Sequence, residues 1–431
     1  TVIEKTVEPP DDRKLISITA VYNGANILVG GSLNNGDFAV TAYYDNESSR
    51  IVTNFAVGAF SSAEAGVCAV QISYTENGVT KECSVNVTVV SQGGDVVSNA
   101  NVSIHFLELG NIYTGDSVYI KAGETDILID AGSRQSSAGT ITKYLNNYVT
   151  DGKLEYVIAT HAHQDHIAGF IGTSSYRGIF EAFDCETIID FSRTNQKELT
   201  DKGNPTLYKQ YLNKRDAAVA DGAAHYTAEQ CFNETDGAKR VYQIADGITL
   251  EILYNYYYFN SSGDENNYSV TCIIKQGENN YFFSGDLEQE GEEKLVSYYE
   301  NKNEPLPHCV LYKAGHHGSK TSSTAKLMSA ITPDYVCVCC CAGTSEYTSN
   351  NDNQFPTQDF INRIAPYTDK VYVTTMVDNY VSSGWGSNGT VKSMNGNIVF
   401  SCIDGNISVE CSNNNLLLKD TEWFKEKRIC P

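Results

Sequence analysis

Long apolar runs, positive charges and histidines are all scarce in this 431-residue chain. No run of about 18 apolar residues occurs, so the sequence predicts no membrane-spanning helix. Lys and Arg total 31 against 53 Asp and Glu, a formal net charge of −22. This deficit argues against a basic face that binds long nucleic acid tightly and without specificity. Histidine occurs only 8 times, so any local concentration of it is informative.

Such a concentration is found in "THAHQDHIAGF" (160–170), which places His161, His163 and His166 beside Asp165. The preceding "LEYVIAT" (154–160) predicts a buried strand, and the following residues predict a helix that Asp165 can cap. Open α/β layers place their sites at such strand ends. An exposed polar loop is the alternative, but three imidazoles beside a carboxylate have no structural use there. The pattern therefore predicts ligands for two adjacent cations.

Two later segments repeat this arrangement of a strand followed by candidate ligands. "NYFFSGDLEQEGEEKLV" (280–296) predicts a strand, then Asp286, then a helix. "HCVLYKAGHHGSKTSS" (308–323) predicts a strand that delivers His316 and His317. Each fragment alone is weak, since Gly-Asp is commonly a turn and a His-His pair is commonly a surface feature. Their shared placement after strands makes a binuclear metal site the better interpretation.

The motifs "THAHQDH", "SGD" and "AGHHGSKTSS" resemble those of the metallo-β-lactamase fold hydrolases. "IHFLELG" (104–110), "GDSVYIKAGETDILIDAG" (115–132) and "NNYSVTCII" (266–274) are similar to motifs of the branch that contains the hydrolase domain of the competence DNA-uptake protein ComEC. Bacterial phosphorylcholine esterases resemble the chain in ligand set. The resemblance covers about 103–400 and implies an α/β fold, the αββα sandwich, for residues 103–431.

The resemblance also implies roles for individual residues. The implied metal ligands are His161, His163, Asp165, His166, Asp286 and one or both of His316 and His317. Asp286 would bridge the two cations, and with Asp165 and His317 it would form the catalytic set. Asp130 would orient the ligand loop rather than bind metal. The implied substrate contacts are Asn267, Ser319 and Lys320.

Two divalent cations, zinc or manganese, would lower the pKa of a bridging water from about 15.7 toward 7 and so generate hydroxide. Many relatives place a further histidine before the bridging aspartate, where this chain offers only His225. Its alanine-rich surroundings predict a helix or loop and a structural role, which leaves an open position on the first metal. The polar segment from Lys320 to Ser323 is interpreted either as phosphate contacts or as an ordinary helix-capping loop.

The N-terminal region differs from the remainder, because its apolar residues alternate with period two between short turns. This pattern predicts a β-sandwich over 15–92, between linkers at 1–14 and 93–102. It resembles bacterial immunoglobulin-like domains, which implies a spacer that contacts the cell surface. A start at Thr1 without an initiator methionine suggests a processed product.

Cysteine usage bears on the compartment. The 13 cysteines are an odd number, and Cys68 and Cys83 are candidates for a cross-strand disulfide. "CVCCC" (337–341) predicts a buried strand, with Cys340 on the opposite face from its neighbours, rather than a metal cluster. Several free thiols in an exported protein favour an anaerobe as the source. The resemblance to bacterial immunoglobulin-like domains implies that this source is Gram-positive.

The favoured function is a secreted or surface-attached phosphodiesterase that acts on a small or cell-wall-linked phosphodiester. The alternatives are a ComEC-type nuclease acting on DNA or single-stranded nucleic acid, an amide or ester hydrolase, and a noncatalytic surface-binding protein. The tyrosines of "YNYYYF" (254–259) either form an aromatic wall for a quaternary ammonium group or fill an amphipathic strand.

Overall fold

The computed structural model of the protein describes residues 13–22, 24, 27–28, 30–46, 48–63, 66–90, 101–378 and 390–431. Most of the two predicted linkers, 1–12 and 93–100, lies outside the described residues. Contacts divide the chain into two compact units, Thr1–Val96 and Val97–Pro431. None of the helices within the described ranges is long and apolar enough to cross a membrane.

The first unit contains strands in two sheets, ordered β1-β3-β4 and β2-β7-β6-β5. The strands are β1 Leu15–Tyr22, β2 Ile27–Leu28, β3 Phe38–Tyr44, β4 Ser49–Val52, β5 Ala56–Val57, β6 Gly66–Glu76 and β7 Val79–Val90. Alternate residues such as Val40 and Ala42 of β3 join Ile72 of β6 in one buried cluster, as period-two patterning requires. Asn77 and Gly78 join β6 to β7, and both have positive φ (49° and 78°), as a tight hairpin turn demands. The relation of this unit to immunoglobulin-like domains stays a prediction.

The predicted disulfide between Cys68 and Cys83 is wrong. Both thiols are free, because the antiparallel register of β6 and β7 pairs Cys68 with Val87 and Cys83 with Ile72. A disulfide needs Cα atoms no more than about 7 Å apart. The register therefore separates the two cysteines along the hairpin by four positions of strand.

The second unit is a mixed α/β structure built on two eight-stranded sheets, as the sequence predicts for 103–431. The first sheet has the order β13-β12-β11-β10-β9-β8-β22-β23. Its strands are β8 Val102–Phe106, β9 Val118–Ala122, β10 Thr125–Ile129, β11 Lys153–Ala159, β12 Asp184–Asp190, β13 Ala224–Thr227, β22 Ile398–Ile403 and β23 Asn406–Cys411. Strands β10 to β13 are parallel, so their carboxyl ends share one edge.

The second sheet has the order β14-β15-β16-β17-β18-β19-β20-β21. Its strands are β14 Val241–Ala245, β15 Ile248–Ile252, β16 Cys272–Gln276, β17 Asn279–Phe283, β18 Leu311–Lys313, β19 Tyr335–Ala342, β20 Val371–Asp378 and β21 Thr390–Ser393. Strands β17 to β20 are parallel. Their carboxyl ends therefore also converge on one edge.

Helices cover the outer faces of both sheets. They are α1 Ser137–Leu145, α2 Gln164–Ile171, α3 Ile179–Ala182, α4 Leu207–Ala220, α5 Ala228–Asn233, α6 Gln289–Asn301, α7 Ala325–Ile331, α8 Gln358–Ile364 and α9 Glu422–Lys427. One buried cluster contains residues of both sheets and of α1 to α4, and a second joins β16–β20 to α6–α9. The layers therefore follow the order helix, sheet, sheet, helix.

Strand β19 carries the predicted cysteine run. Every residue from Val336 to Ala342 is buried, which confirms the strand and its burial. Cys337 and Cys339 face the core shared by the two sheets, whereas Val338 and Cys340 face α6–α9. Cysteine acts here as a small apolar residue, as the alternation predicts.

Candidate metal centre

The histidine cluster begins directly after β11. The helix that follows starts at Gln164 with His163 as its N-cap residue, so Asp165 lies in the first turn. The prediction that Asp165 caps this helix is therefore wrong. A negative charge in that turn still interacts favourably with the helix dipole. Gly169 lets α2 pack closely against the backbone at Ala131, because a Cβ on residue 169 would lie 2.5 Å from the Ala131 carbonyl oxygen.

Asp130, at the end of β10, ties this loop together. Its carboxylate accepts hydrogen bonds from the backbone N and the hydroxyl of Thr160, both at 2.7 Å. The same carboxylate lies 2.8 Å from His166 Nδ1. Asp130 is 1% exposed and has a left-handed backbone (φ 60°), a costly conformation that these contacts hold in place.

Three predicted residues from three strand ends meet at one point. Asp286 Oδ2 lies 3.1 Å from His166 Nε2 and 3.0 Å from His317 Nε2. All three side chains are at most 2% exposed. Asp286 follows β17 and His317 follows β18, so parallel pairing of those strands brings the later motifs together beside the first. The structure thus joins three sequence segments into one buried centre.

The other predicted ligands line the same centre. His161 is fully buried, and its ring centroid lies 4.1 Å from that of His166. His163 Nδ1 lies 3.0 Å from His161 Nε2, and His163 is partly exposed whereas His161 is buried. Asp165 Oδ2 lies 3.5 Å from His317 Nε2 and accepts a hydrogen bond from the hydroxyl of Tyr347 at 2.8 Å.

Sequence reasoning did not assign Asp116 or Lys313 to the centre. Asp116 precedes β9, is 2% exposed and lies 3.1 Å from His317 Nδ1. Lys313 is also 2% exposed, and its ammonium contacts Asp116. It also lies 3.5 Å from Asp286 Oδ1. The sequence signal for both residues is a charge beside an apolar strand, and Asp116 also lies in the motif-like segment 115–132.

Asp116, His166, Asp286 and His317 each offer a ligand atom, and these atoms lie within 4.8 Å of one another. Asp116, however, approaches His317 from the Nδ1 side, where the carbonyl of Cys339 also accepts a hydrogen bond at 2.9 Å. The Nε2 atom points the other way, to Asp286. We therefore assign Asp116, like Asp130 behind His166, to holding an imidazole rather than to binding a cation.

Carboxylates dominate the electrostatics of the centre. Burial alone would lower the pKa of His166, but Asp286 and Asp130 outweigh burial and hold that pKa well above its usual value. The pKa of His317 is raised in the same way by Asp286 and Asp116 against the effect of burial. Burial would raise the pKa of Asp286, but the surrounding cationic groups hold it well below the ordinary range.

The donor set fits divalent cations. Three buried carboxylates, Asp116, Asp130 and Asp286, face a single buried ammonium, that of Lys313. The imbalance requires further positive charge, which protons on His166 and His317 supply when metal is absent. His317 Nε2 is buried and makes no hydrogen bond of acceptable geometry, although carboxylate oxygens face it. Imidazole nitrogens and carboxylate oxygens that converge in this way can hold divalent cations.

His316 and His317 have different environments, which decides between them as ligands. Both have left-handed backbones (φ 44° and 56°), so the two rings diverge from the chain. His316 Nδ1 lies 2.8 Å from Glu288, and its Nε2 lies 4.0 Å from Asp286 Oδ2. The geometry favours His317 as a ligand and places His316 at the rim.

The predicted substrate contacts differ in their surroundings. The amide of Asn267 donates to Ser262 Oγ at 3.0 Å, within its own loop. Ser319 Oγ lies 2.9 Å from Thr321 Oγ1, and Thr321 in turn donates to Glu288 at 3.0 Å. The side chain of Lys320 is exposed.

The hydroxyls of Ser322 and Ser323 have internal partners. Ser322 donates to the carbonyl of Leu287, and Ser323 pairs with the hydroxyl of Tyr312. Thr324 caps α7 by accepting from the backbone N of Leu327. The residue that caps α7 is thus Thr324, one position beyond the predicted segment.

His225 lies on β13, so the predicted helix or loop around it is wrong. Its Nε2 lies 2.8 Å from Asp190 Oδ1, and Arg215 contacts the other oxygen of the same carboxylate at 2.8 Å. These contacts make His225 part of an ion-pair cluster at the end of β12. Parallel pairing of β12 with β13 produces this arrangement.

Residues 110–173 match the family model described as the metallo-beta-lactamase superfamily. Competence protein ComA of Neisseria gonorrhoeae is 26% identical over 264 residues, which cover 61% of this chain and 30% of ComA. The chain thus spans less than a third of that relative. These matches support a metallo-β-lactamase fold.

Solved structures similar to the chain include CmlA, a diiron β-hydroxylase from Streptomyces venezuelae. It has 10% identity and a TM-score of 0.31, with 56% of this chain and 44% of CmlA covered. A metallo-β-lactamase of Cronobacter sakazakii has 12% identity and a TM-score of 0.28, with 47% of this chain and 72% of that protein covered.

Proposed function

We propose that the protein is a binuclear metal-dependent phosphodiesterase. The observation that carries the proposal is the buried convergence of His166, His317 and Asp286, with a histidine nitrogen that lacks a hydrogen bond. His161 and His163 would hold one cation, and Asp165 with the convergent set would hold the other. Bound divalent cations would activate water at neutral pH and stabilise negative charge on the reacting phosphate.

The protein's own residues supply the orientation. Asp130 and Asp116 hold the Nδ1 sides of His166 and His317, which fixes each Nε2 toward Asp286. Mutation of such outer partners commonly lowers metal affinity or activity 10- to 100-fold. Lys313 contacts Asp286 through Oδ1, which leaves Oδ2 facing the imidazoles. The arrangement keeps the bridging carboxylate from rotating.

A phosphodiester is favoured as substrate by the sequence motifs, which resemble ComEC-like nucleases and phosphorylcholine esterases. The similarity to a competence protein supports nucleic acid as the second candidate. The net charge of −22 opposes binding of a long polyanion, and burial of Lys313 removes one of the cations that could offset it. We therefore expect small phosphodiesters to be better substrates than duplex DNA at physiological salt.

The tyrosine-rich segment gives no support to a choline-type substrate. Tyr256–Tyr258 form a 3-10 turn rather than a strand, and Tyr258 is fully buried. The ammonium of Lys294 already lies 3.6 Å from the centre of the Tyr256 ring. Tyr254 stacks on Tyr298 at 3.8 Å. These ring faces therefore have internal partners.

An extracellular location remains part of the proposal. It is supported by the likeness of the N-terminal sequence to immunoglobulin-like domains, which implies contact with a cell surface. A Gram-positive anaerobe as source is proposed on the same grounds, together with the 13 free cysteines. Labelling of intact source cells with an antibody against the protein would test this location.

The proposed activity is tested with metal-replete protein and bis(p-nitrophenyl) phosphate. The parallel substrates are single-stranded and duplex DNA at 150 mM salt, a chromogenic β-lactam and a lactone. We expect close to two metals per chain by elemental analysis and the highest activity on the phosphodiester. The matched control is Asp286→Asn, which keeps the side-chain shape but removes the charge.

The outcomes separate the candidates. Preferential cutting of duplex DNA, at a salt concentration where charges are screened beyond about 8 Å, would replace the proposal with a nuclease. Hydrolysis of the β-lactam or lactone alone would assign an amide or ester hydrolase. Bound metal without any hydrolysis would favour a noncatalytic surface-binding protein.

A further inference from the structure

Tyr347 reaches the metal centre from the solvent side. It lies in the loop after β19 and is 42% exposed, yet its hydroxyl donates to Asp165 Oδ2 at 2.8 Å. That oxygen also faces His317 Nε2 at 3.5 Å. A neutral hydrogen-bond donor on a partly exposed side chain therefore contacts the edge of the buried cluster.

The loop that carries Tyr347 is fixed by its neighbour Glu346. The Glu346 carboxylate accepts from the backbone N of Thr114 and from Arg134, each at 2.8 Å. The Arg134 guanidinium lies 3.6 Å from the centre of the Tyr113 ring. A donor held by a partly buried ion pair is positioned before any ligand arrives.

Aromatic rings continue from Tyr347 to the histidines. The Tyr347 ring centroid lies 5.5 Å from that of Phe355. Phe355 in turn lies 5.7 Å from His316 and 6.0 Å from His317. These contacts form a continuous row of rings from the partly exposed Tyr347 to the two histidines.

We propose that, when substrate binds, the Tyr347 hydroxyl releases Asp165 and donates its hydrogen bond to a phosphoryl oxygen of the substrate instead. This inference rests on the proposed phosphodiesterase function. A non-bridging phosphoryl oxygen is negatively charged and gains further charge as hydroxide adds to phosphorus, so a donor aimed at such an oxygen is stabilising. Hydrogen bonds to charged groups correspond to about a 10- to 100-fold effect on rate.

The test compares Tyr347→Phe with Tyr367→Phe, a control at another partly exposed tyrosine, in the turn after α8. Metal content, affinity for inorganic phosphate by calorimetry, and turnover of bis(p-nitrophenyl) phosphate are measured for each. We expect Tyr347→Phe to keep its metal, to bind phosphate roughly tenfold more weakly and to lose roughly 10- to 100-fold in kcat. Tyr367→Phe should match wild type.

Unchanged phosphate affinity and turnover in Tyr347→Phe would overturn the inference. Loss of metal would also overturn it, since that result would show that Tyr347 acts only by orienting Asp165. If wild-type protein hydrolyses no phosphodiester, the proposed function fails. The phosphate-binding comparison still decides whether Tyr347 contacts a phosphoryl group.

Discussion

Replacing Asp116 with asparagine should destabilise the second unit strongly. Asp116 is 2% exposed and pairs with the Lys313 ammonium, which is equally buried. In Asp116→Asn that ammonium loses its charged partner at this position, and among the described residues Asp286 Oδ1 at 3.5 Å is the remaining carboxylate oxygen that it contacts, beside the Gly285 carbonyl at 3.3 Å. Removing one partner of a buried ion pair typically costs about 3–5 kcal/mol, a large share of the 5–15 kcal/mol that stabilises a typical protein.

Urea unfolding of the metal-free protein, followed by circular dichroism at pH 7, measures this loss. The first unit is an internal reference, because any transition of its own should keep its midpoint. The matched control is Glu186→Gln, which neutralises a carboxylate of the exposed Lys153–Glu186 pair, and it should produce no measurable shift.

A double variant distinguishes the loss of the ion pair from general damage to the core. Asp116→Asn combined with Lys313→Met removes both charges, so much of the lost free energy of unfolding should return. Wild-type stability in Asp116→Asn would refute the reasoning. A double variant that is merely additive would show that the two buried charges are not coupled.

The remaining predictions concern the metal, pH and the thiols. Asp286→Asn should lose at least one metal by elemental analysis and all activity, yet keep its circular dichroism spectrum; an active variant would contradict the bridging role. His317→Gln should lose metal while His316→Gln keeps it, and the reverse result would exchange their assignments. Because the folded pKa values of His166 and His317 are raised, their contribution to metal-free stability is complete below about pH 6.5 and is lost as pH rises through those values. The urea concentration at the unfolding midpoint should therefore fall as the pH is raised from 6.5 to 9 in the metal-free protein. It should stay level in the metal-bound protein, because the metal replaces the protons on the two histidines. A thiol reagent should modify native protein at the cysteines that are not buried, and rapid reaction of the rest would contradict the packing of β19. These accessible cysteines are Cys68, Cys83, Cys411 and Cys430.

Local sequence patterns predicted the strand ends but not what surrounds them. The predicted strand 154–160 is β11 Lys153–Ala159, and Asp286 and His317 follow β17 and β18 as expected. These segments carry their own signal, since an apolar strand is followed at once by ligand-type residues. Parallel pairing then brings them together, which is a general property of such sheets.

The supporting residues depend on contacts that are distant along the chain. Asp116 lies 197 positions from Lys313 in sequence, and Tyr347 lies 182 positions from Asp165. No local periodicity marks such partners. Two predictions were wrong for a related reason. The register of β6 and β7 separates the two cysteines of the predicted disulfide, and a 3-10 turn replaces the strand predicted within 254–259.

The cysteine strand has a consequence for how the chain reaches its native state. Cys337, Cys339, Cys340 and Cys341 are inaccessible once β19 is inserted between its neighbours. Burial raises the pKa of the Cys341 thiol to about 12, which suppresses the reactive thiolate. Before insertion, the same four thiols lie within five residues of each other and are open to oxidants. Oxidation of these four thiols is therefore a hazard of biosynthesis rather than of the mature protein, and their oxidation should respond to reductant during refolding but not in the native protein.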